Sequence, residues 1–210
     1  MPTHTIAENL TRLQTARTNI ATAITTKGGT VAEGAGFEDF PTAIGTIPAG
    51  GDDSFAKLID RSIVTAVIPS GVTSIGLSAF DGCTALTSVE ISSSVTSIGN
   101  SAFYNCTALT SVEIPSSVTS IGSSAFSDCT ALTSVEISSS VTSIGNSAFY
   151  NCNHLKSIKF LGSTPPTVSN ARTWTGVPTT CKIYVPTGSL TAYTTASNYP
   201  NPNTYTYVEY

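Results

Sequence analysis

The sequence is poor in charged residues, which make up 10% of its 210 residues. No lysine or arginine occurs between Arg61 and Lys156, and the formal net charge is −4. Because a nucleic-acid-binding protein needs cationic side chains to neutralise phosphates, we expect no nucleic-acid partner. Serine and threonine supply most of the polarity instead, which predicts a surface of hydroxyl groups.

Long apolar runs are also missing. No run reaches the roughly 20 residues that a membrane-spanning helix needs, so we expect no membrane insertion. The amino terminus, MPTHTIAENLTRLQTARTN, lacks the basic and then apolar layout of a secretory signal. If the chain acts outside a cell, we therefore expect it to leave by lysis, as part of a particle, or by a route that the sequence does not show.

The residues that usually carry chemistry are sparse. The two histidines are His4 and His154, and there is no C-x-x-C, so the sequence lacks the paired ligands of a metal site. It also has no G-x-S-x-G and no phosphate-binding loop. Glycoside hydrolysis would need two carboxylates across a cleft, whereas Glu90, Glu113 and Glu136 share one column and point the same way. We expect no enzyme activity, no catalytic residue, no metal and no cofactor.

A strict 23-residue period fills the middle of the chain. Each copy has the spacing L-x-x-V-x-I, then a valine, an isoleucine followed by glycine, an Ala-Phe pair and a cysteine; this strand segment is typical of leucine-rich repeats. The first apolar column is Ile63, Leu86, Leu109, Leu132 and Leu155. The period predicts a mainly β fold, a leucine-rich-repeat solenoid of 23-residue coils.

The cysteines follow the same period, at Cys83, Cys106, Cys129 and Cys152, with Cys181 apart from them. Stacked coils would place neighbouring thiols about 4.8 Å apart and parallel, whereas a disulfide needs converging side chains. We therefore predict buried, free thiols.

Four segments follow from these patterns. Residues 1–49 are predicted to be a helical docking or oligomerisation segment, 50–62 a linker and N-terminal cap, 63–160 the repeats, and 161–210 a C-terminal cap. Within the last segment, KIYVP predicts a strand. A short helix is predicted after it, capped near Thr187 or Ser189 and burying Leu190 and Tyr193.

The first helix carries a narrow apolar stripe at heptad spacing. Its members are Ile6, Leu10, Leu13, Ile20 and Ile24, with Arg17 at the position where another apolar residue is due. A seam of this width favours a homo-oligomer, while Phe37 and Phe40 offer cover within one chain. Arg17 fits either a solvated helix edge or a polar layer of a coiled coil.

Two family resemblances rest on particular motifs. The units LTSVEIPSSVTSIGSSAF, each followed by a cysteine, resemble the BspA-like, or Treponema pallidum-type, leucine-rich repeats of bacterial surface proteins. That family implies a non-catalytic adhesin that binds host proteins or other cells. The motif GFEDFPTAIGTI, residues Gly36 to Ile47, resembles a small helical segment that opens tail-associated proteins of phages and prophages.

Together the resemblances imply an extracellular virion component on a phage or prophage tail. Its repeats would bind a host cell-surface protein or glycan, and residues 1–49 would contact other tail or particle proteins, with a trimer favoured. A structural spacer or decoration protein and a bacterial cell-surface adhesin remain the alternatives.

The candidate ligand-binding residues form one surface column with its neighbours. They are Ser88, Glu90, Ser111, Glu113, Ser134, Glu136 and Lys159. Two interpretations stay open. Repeat duplication has copied a solvated residue, since 86–106 and 132–152 are identical, or the strip binds a basic patch or a cation such as Ca²⁺ through its oxygens. Variation near Trp174, Tyr184 and the last tyrosines is a second hint of a ligand surface.

Overall fold

The structure is a computed structural model that describes residues 61–210. The predicted helical segment, residues 1–49, lies outside the described residues, as does most of the predicted linker and cap of residues 50–62. The same is true of the predicted oligomerisation residues Ile6, Leu10, Leu13, Arg17, Ile20 and Ile24.

The described residues form short strands joined by turns. The strands are β1 (Thr65–Ile68), β2 (Ser74–Ile75), β3 (Ser88–Ile91), β4 (Ser97–Ile98), β5 (Ser111–Glu113), β6 (Ser120–Ile121), β7 (Ser134–Ile137), β8 (Ser143–Ile144), β9 (Ser157–Phe160), β10 (Thr167–Val168), β11 (Lys182–Val185) and β12 (Thr206–Glu209). A 3-10 helix spans Ala171–Trp174 and helix α1 spans Leu190–Thr195.

Parallel pairing between successive coils makes the solenoid. Strands β2, β4, β6, β8 and β10 form one sheet, and β5, β7, β9, β11 and β12 form the main sheet. Ser134 pairs with Ser111 on one side and with Ser157 on the other, a step of 23 residues each time. The prediction of a mainly β solenoid with 23-residue coils is confirmed.

The main sheet is interrupted between β3 and β5, because β3 pairs with β1 alone. Where the ladder is complete, the residue after the strand donates its N–H to the preceding coil, as Leu161 does to the Ile137 carbonyl at 2.9 Å. The equivalent residue after β5 is Pro115, which has no N–H to offer the carbonyl of Ile91. Proline therefore removes one ladder bond at the place where the sheet is interrupted.

The predicted apolar columns fill the interior. Leu86, Leu109 and Leu132 are 0% exposed, and a fully buried side chain of this size contributes about 1.5–3 kcal/mol. The phenylalanines stack ring on ring from coil to coil, with 5.2 Å between the centroids of Phe103 and Phe126. Since each coil covers the next, burial depends on stacking neighbours, as expected of a repeat protein.

The glycine after the second strand is required by the close approach of coils. A Cβ on Gly122 would lie 2.6 Å from the backbone nitrogen of Asn100 and as close to the carbonyl carbon of Gly99. At Gly76, the equivalent residue two coils earlier, a Cβ would meet no atom of residues 61–210 within 4 Å. A larger residue in place of this glycine should therefore be tolerated differently from coil to coil.

The C-terminal segment continues the solenoid further than the sequence predicted. The predicted strand KIYVP is confirmed as β11, and the unpredicted β12 pairs parallel with it. Helix α1 begins after Ser189, but the Ser189 side chain makes no capping bond. Tyr193 is fully buried as predicted, whereas the prediction for Leu190 is wrong, since it is 37% exposed.

The reason for the exposure of Leu190 lies in the first turn of α1. The backbone N–H groups of Gly188 and Leu190 donate to Oε1 of Glu209, which lies in the exposed last residue of β12. This contact holds the start of the helix at the polar rim of the sheet, while Tyr193 reaches inward and donates its hydroxyl to the Gly162 carbonyl.

Candidate binding surface

The predicted strip lies on the outward face of the main sheet and of β3. In β3, β5 and β7 the serine and glutamate are exposed while the valine between them is buried, because side chains alternate along a strand. The exposed residues are Ser88, Glu90, Ser111, Glu113, Ser134 and Glu136. The orientation predicted for the strip is therefore confirmed.

Lys159 ends the strip and is already engaged. Its Nζ lies 3.1 Å from Oε2 of Glu136, one coil away, and 4.8 Å from the centre of the Tyr210 ring. An exposed ion pair of this kind contributes about 0–1 kcal/mol. The charge of Glu136 is thus matched within the chain, and no such ion pair is found at Glu90 or Glu113 in residues 61–210.

The interrupted sheet separates the acids. Glu113 and Glu136 are register partners, whereas Glu90 is the register partner of Val67. Within the described part of the chain, no group of three or more acidic, histidine or cysteine side chains lies close enough to hold a metal ion. The strip therefore does not form the clustered oxygens that Ca²⁺ requires, and a basic partner is the remaining interpretation of it as a site.

Many of the hydroxyl groups are used within the solenoid. Thr133 donates its Oγ1 hydroxyl to the Thr110 carbonyl at 3.1 Å, and Ser140 donates to the Val118 carbonyl at 2.8 Å. Equivalent bonds recur from coil to coil. The serine- and threonine-rich composition thus serves coil stacking as well as the surface.

The thiols are buried and free in all five cysteines, as predicted. Cys106, Cys129 and Cys152 each donate the S–H to a phenylalanine carbonyl of the preceding coil, at 3.1–3.2 Å. Burial raises the pKa of the Cys106 and Cys152 thiols to about 12. A protonated, enclosed thiol is a poor nucleophile, so these residues act in packing.

Most aromatic residues of the C-terminal segment take part in internal contacts, so the second hint of a ligand surface stays a prediction. Trp174 is 4% exposed and its ring stacks on Phe149 at 5.4 Å. The hydroxyls of five tyrosines donate to backbone carbonyls; these are Tyr193, Tyr199, Tyr205, Tyr207 and Tyr210. Tyr184 differs, because it lies half-buried on the outward face beside Lys159.

A shallow groove of about 460 Å³ follows the sheet formed by β2, β4, β6, β8 and β10. It is lined by serines, glycines, isoleucines, Leu77 and Asn100, without a charged side chain. Its glycines are explained by coil stacking, and Asn100 accepts a hydrogen bond from the Ser123 N–H. The groove therefore offers hydroxyls and backbone groups but no charge.

Sequence reasoning missed a surface column of turns, in which Tyr104, Asp128 and Tyr150 lie on successive coils. Tyr104 is 39% exposed, and the negative charge of Asp128 raises the pKa of its phenol. The available signal was a departure from the repeat. Where the second and fourth cysteine-marked copies read Tyr-Asn, the third reads Ser127-Asp128.

The described residues contain no helix long and apolar enough to cross a bilayer. The sequence matches no curated protein. Among solved structures it is similar to the leucine-rich repeat protein of T. pallidum, with 39% identity over 47% of this chain and 46% of that one, and a TM-score of 0.46.

A second similar structure is the pneumococcal vaccine antigen PcpA, at 20% identity and a TM-score of 0.59, covering 70% of this chain and 36% of that one. A third is a leucine-rich repeat protein from Bacteroides ovatus, at 25% identity and a TM-score of 0.48, covering 70% of this chain and 42% of that one. The chain spans less than half the length of each of these three proteins. The likeness to PcpA concerns the fold alone.

Residues 51–170 match the BspA type leucine rich repeat region in six copies. That stretch covers more than half of the chain, and its 23-residue period is the one that the strand register follows. The chain belongs to the BspA-type leucine-rich-repeat family.

Proposed function

We propose that the chain is a non-catalytic adhesion or receptor-binding protein, whose solenoid is displayed to a host surface by a phage or prophage tail. The observation that carries the binding role is the outward column of the main sheet and of the β1–β3 pair. Its chemistry changes along the axis while the interior repeats: Val67 is followed by the three glutamates, then Lys159 and Tyr184.

The partner proposed for this column is a protein that presents basic residues. Five acids and no lysine or arginine lie in residues 62–155, so the field over this part of the solenoid attracts cations and repels anions. Glu90 and Glu113 are the members that form no ion pair within residues 61–210. The sheet fixes the positions of their backbones before a partner binds, so that only the side chains remain to be ordered.

A structural spacer is the second candidate, and the identity of residues 86–106 and 132–152 favours it. A spacer needs coils that stack and keep their length, but it does not need a changing outward column. Binding experiments on the outward residues therefore separate the two functions.

Display on a tail is supported by the sequence motif in residues 36–47 and by the heptad stripe of the helix that the sequence predicts before it. In this proposal residues 1–49 dock onto other tail proteins and assemble the chain into a homo-oligomer, with a trimer favoured by the resemblance to tail proteins. Light scattering of the full chain should give a multimer, and Leu13→Asp should reduce it to a monomer. A full chain that is monomeric at micromolar concentration would contradict this part.

The binding role is tested with fluorescently labelled full chain on cells of the strain that carries the gene and of related strains. We expect saturable binding that protease treatment of the cells removes. Glycan removal by periodate is the parallel arm, which identifies a glycan receptor if it abolishes binding instead. Absence of saturable binding to every strain would favour the spacer.

A further inference from the structure

One turn of the solenoid departs from its repeat on the surface. The position after the buried phenylalanine is Asp81, Tyr104, Ser127 and Tyr150 in successive coils. The next position, with a left-handed backbone in each case, is Gly82, Asn105, Asp128 and Asn151. Ser127-Asp128 thus interrupts a column of Tyr-Asn pairs and adds a negative charge where the neighbouring coils carry none.

The turn of Ser127 and Asp128 lies between the turns of two tyrosines. The Asn105 N–H donates to the Ser127 carbonyl, and the Asp128 N–H donates to the Tyr150 carbonyl, each at 2.8 Å. Tyr104 and Tyr150 follow stacked phenylalanines two coils apart, a separation of about 10 Å at two coil spacings. Ser127 is buried, at 3% exposure. We call Tyr104, Asp128 and Tyr150 the tyrosine–aspartate patch.

The carboxylate of Asp128 is oriented by neutral donors. The Ser127 hydroxyl donates to Oδ2 at 3.0 Å, and the Asn151 side-chain amide donates to Oδ1 at 2.7 Å. The Tyr104 phenol lies close to the same carboxylate. No lysine or arginine of residues 61–210 forms an ion pair with Asp128, and a carboxylate has about four acceptor positions. The charge is therefore held in place and still unmatched.

The chain itself shows how a cation uses this surface. The guanidinium carbon of Arg172 lies 5.3 Å from the centre of the Tyr150 ring, within the roughly 6 Å range of a cation–π contact. Tyr104 has no such cation among the described residues. Its ring is beside the unmatched carboxylate, which is the pairing that a lysine or arginine side chain needs.

We propose that the tyrosine–aspartate patch binds a lysine or arginine side chain of a protein partner. The cation donates hydrogen bonds to the Asp128 carboxylate, and its aliphatic stem lies against the Tyr104 ring. This inference rests on the proposed binding function and names one contact of the partner. It places this contact in a turn, in addition to any contact that the strip on the sheet makes.

The test uses the full chain, an oligolysine peptide and the same peptide acetylated on every ε-amine. Calorimetry at low salt should show binding of the free peptide only. Ser127→Tyr combined with Asp128→Asn gives the third copy the Tyr-Asn pair of its neighbours, where Asn105 and Asn151 already adopt the left-handed backbone. We expect this variant to bind oligolysine about tenfold more weakly, since a charge-assisted hydrogen bond is lost.

Two further variants keep the test decisive. Glu209→Gln removes the same charge at the last strand and retains an acceptor oxygen, so it should change the affinity by less than about twofold. Asp128→Asn alone removes the charge without adding a ring and should weaken binding as the double variant does. Equal affinity of wild type and Asp128→Asn, equal losses in Asp128→Asn and Glu209→Gln, or no binding of oligolysine to wild type would overturn the proposal.

Cell binding distinguishes this proposal from the adhesion function. If wild type and the double variant bind cells equally well, adhesion stands and the patch is not the recognition site. If oligolysine binds in the expected pattern while no cell is bound, the patch keeps its specificity for cationic side chains and the adhesion function fails.

Discussion

The repeats of residues 63–160 and the C-terminal segment of residues 161–210 build the same interior from different residues. In the repeats, identical phenylalanines stack on each other; in the C-terminal segment, Trp174 continues that column with its ring 4° from the plane of Phe149. Ile183 and Val185 likewise continue the strand columns and are fully buried. The interior therefore requires an apolar group at each position, and the repeat is only one way to supply it.

The two regions also differ in the side chains that donate hydrogen bonds to their backbone carbonyls. In the repeats, threonine hydroxyls donate to the coil directly before them. In the C-terminal segment, tyrosine hydroxyls donate instead: Tyr210 donates to the Phe160 carbonyl and Tyr205 to that of Val177. Long side chains there satisfy carbonyls that short ones cannot reach.

The largest effect is expected from emptying the stacked column. Phe126→Ala removes a ring that is 0% exposed and lies between Phe103 and Phe149, so it should lower the free energy of unfolding by about 3–5 kcal/mol. Trp174→Phe keeps an aromatic ring in the same column and should cost less. Urea unfolding followed by circular dichroism measures both, and a smaller loss for Phe126→Ala than for Trp174→Phe would contradict the account.

A smaller effect is expected from crowding the coils. Gly122→Ala places a methyl against the backbone of the preceding coil and should cost about 1–3 kcal/mol. Gly76→Ala, where the space is open, is the matched control and should be neutral or slightly stabilising. Thermal melts of both variants check this, and equal melting temperatures would remove close approach as the reason for the glycine.

The buried thiols should make the free energy of unfolding depend on pH. The folded-state pKa of Cys106 is about 12, above its ordinary value of 9.0, so the folded state binds more protons than the unfolded state between these values. The contribution of the Cys106 thiol to the free energy of unfolding should be fully present below pH 9 and should be lost as the pH rises toward 12. Cys106→Ser, which keeps a donor for the Phe80 carbonyl, should make the fall less steep by about 1 kcal/mol per pH unit.

Labelling supplies the control for that prediction. A thiol reagent should modify Cys106, Cys129 and Cys152 only after denaturation, because all three are 0% exposed. Rapid labelling of the folded chain, or an identical pH profile for Cys106→Ser and wild type, would show that these thiols are not enclosed as described.

The smallest effect is expected at the ion pair that ends the strip. Lys159→Met removes the partner of Glu136 and should change the free energy of unfolding by about 1 kcal/mol or less, with the difference shrinking as salt is added. A double-mutant cycle with Glu136→Gln isolates the pair from the contact of Lys159 with Tyr210. A coupling of several kcal/mol would contradict the description of this pair as exposed.

Periodicity explains how much of the fold was predictable. Apolar residues that recur every 23 residues are predicted to point into the solenoid. The burial of the leucine, phenylalanine and cysteine positions therefore followed from spacing alone. Pro115 is visible in the sequence, but its effect depends on which carbonyl of the neighbouring coil faces it. Strand β12 and the stacking of Trp174 were not predicted, because neither keeps the period.

The surface was less predictable than the interior for a physical reason. The outward position of the glutamates follows from strand alternation, yet their partners depend on contacts between coils, such as that of Lys159 with Glu136. The tyrosine–aspartate patch joins residues 46 positions apart in the sequence, Tyr104 and Tyr150. A departure from the repeat marks such a site, while its geometry requires the folded coils.

The central claim is that the interior of the solenoid provides stability and its outward acids provide recognition. The measurement that tests it most directly is saturable cell binding of the full chain carrying Glu90→Gln and Glu113→Gln, which have no ion-pair partner in the described residues. The account predicts that the affinity for cells falls by about tenfold or more, while the melting temperature is unchanged or slightly higher. Unchanged binding by this variant would contradict the claim.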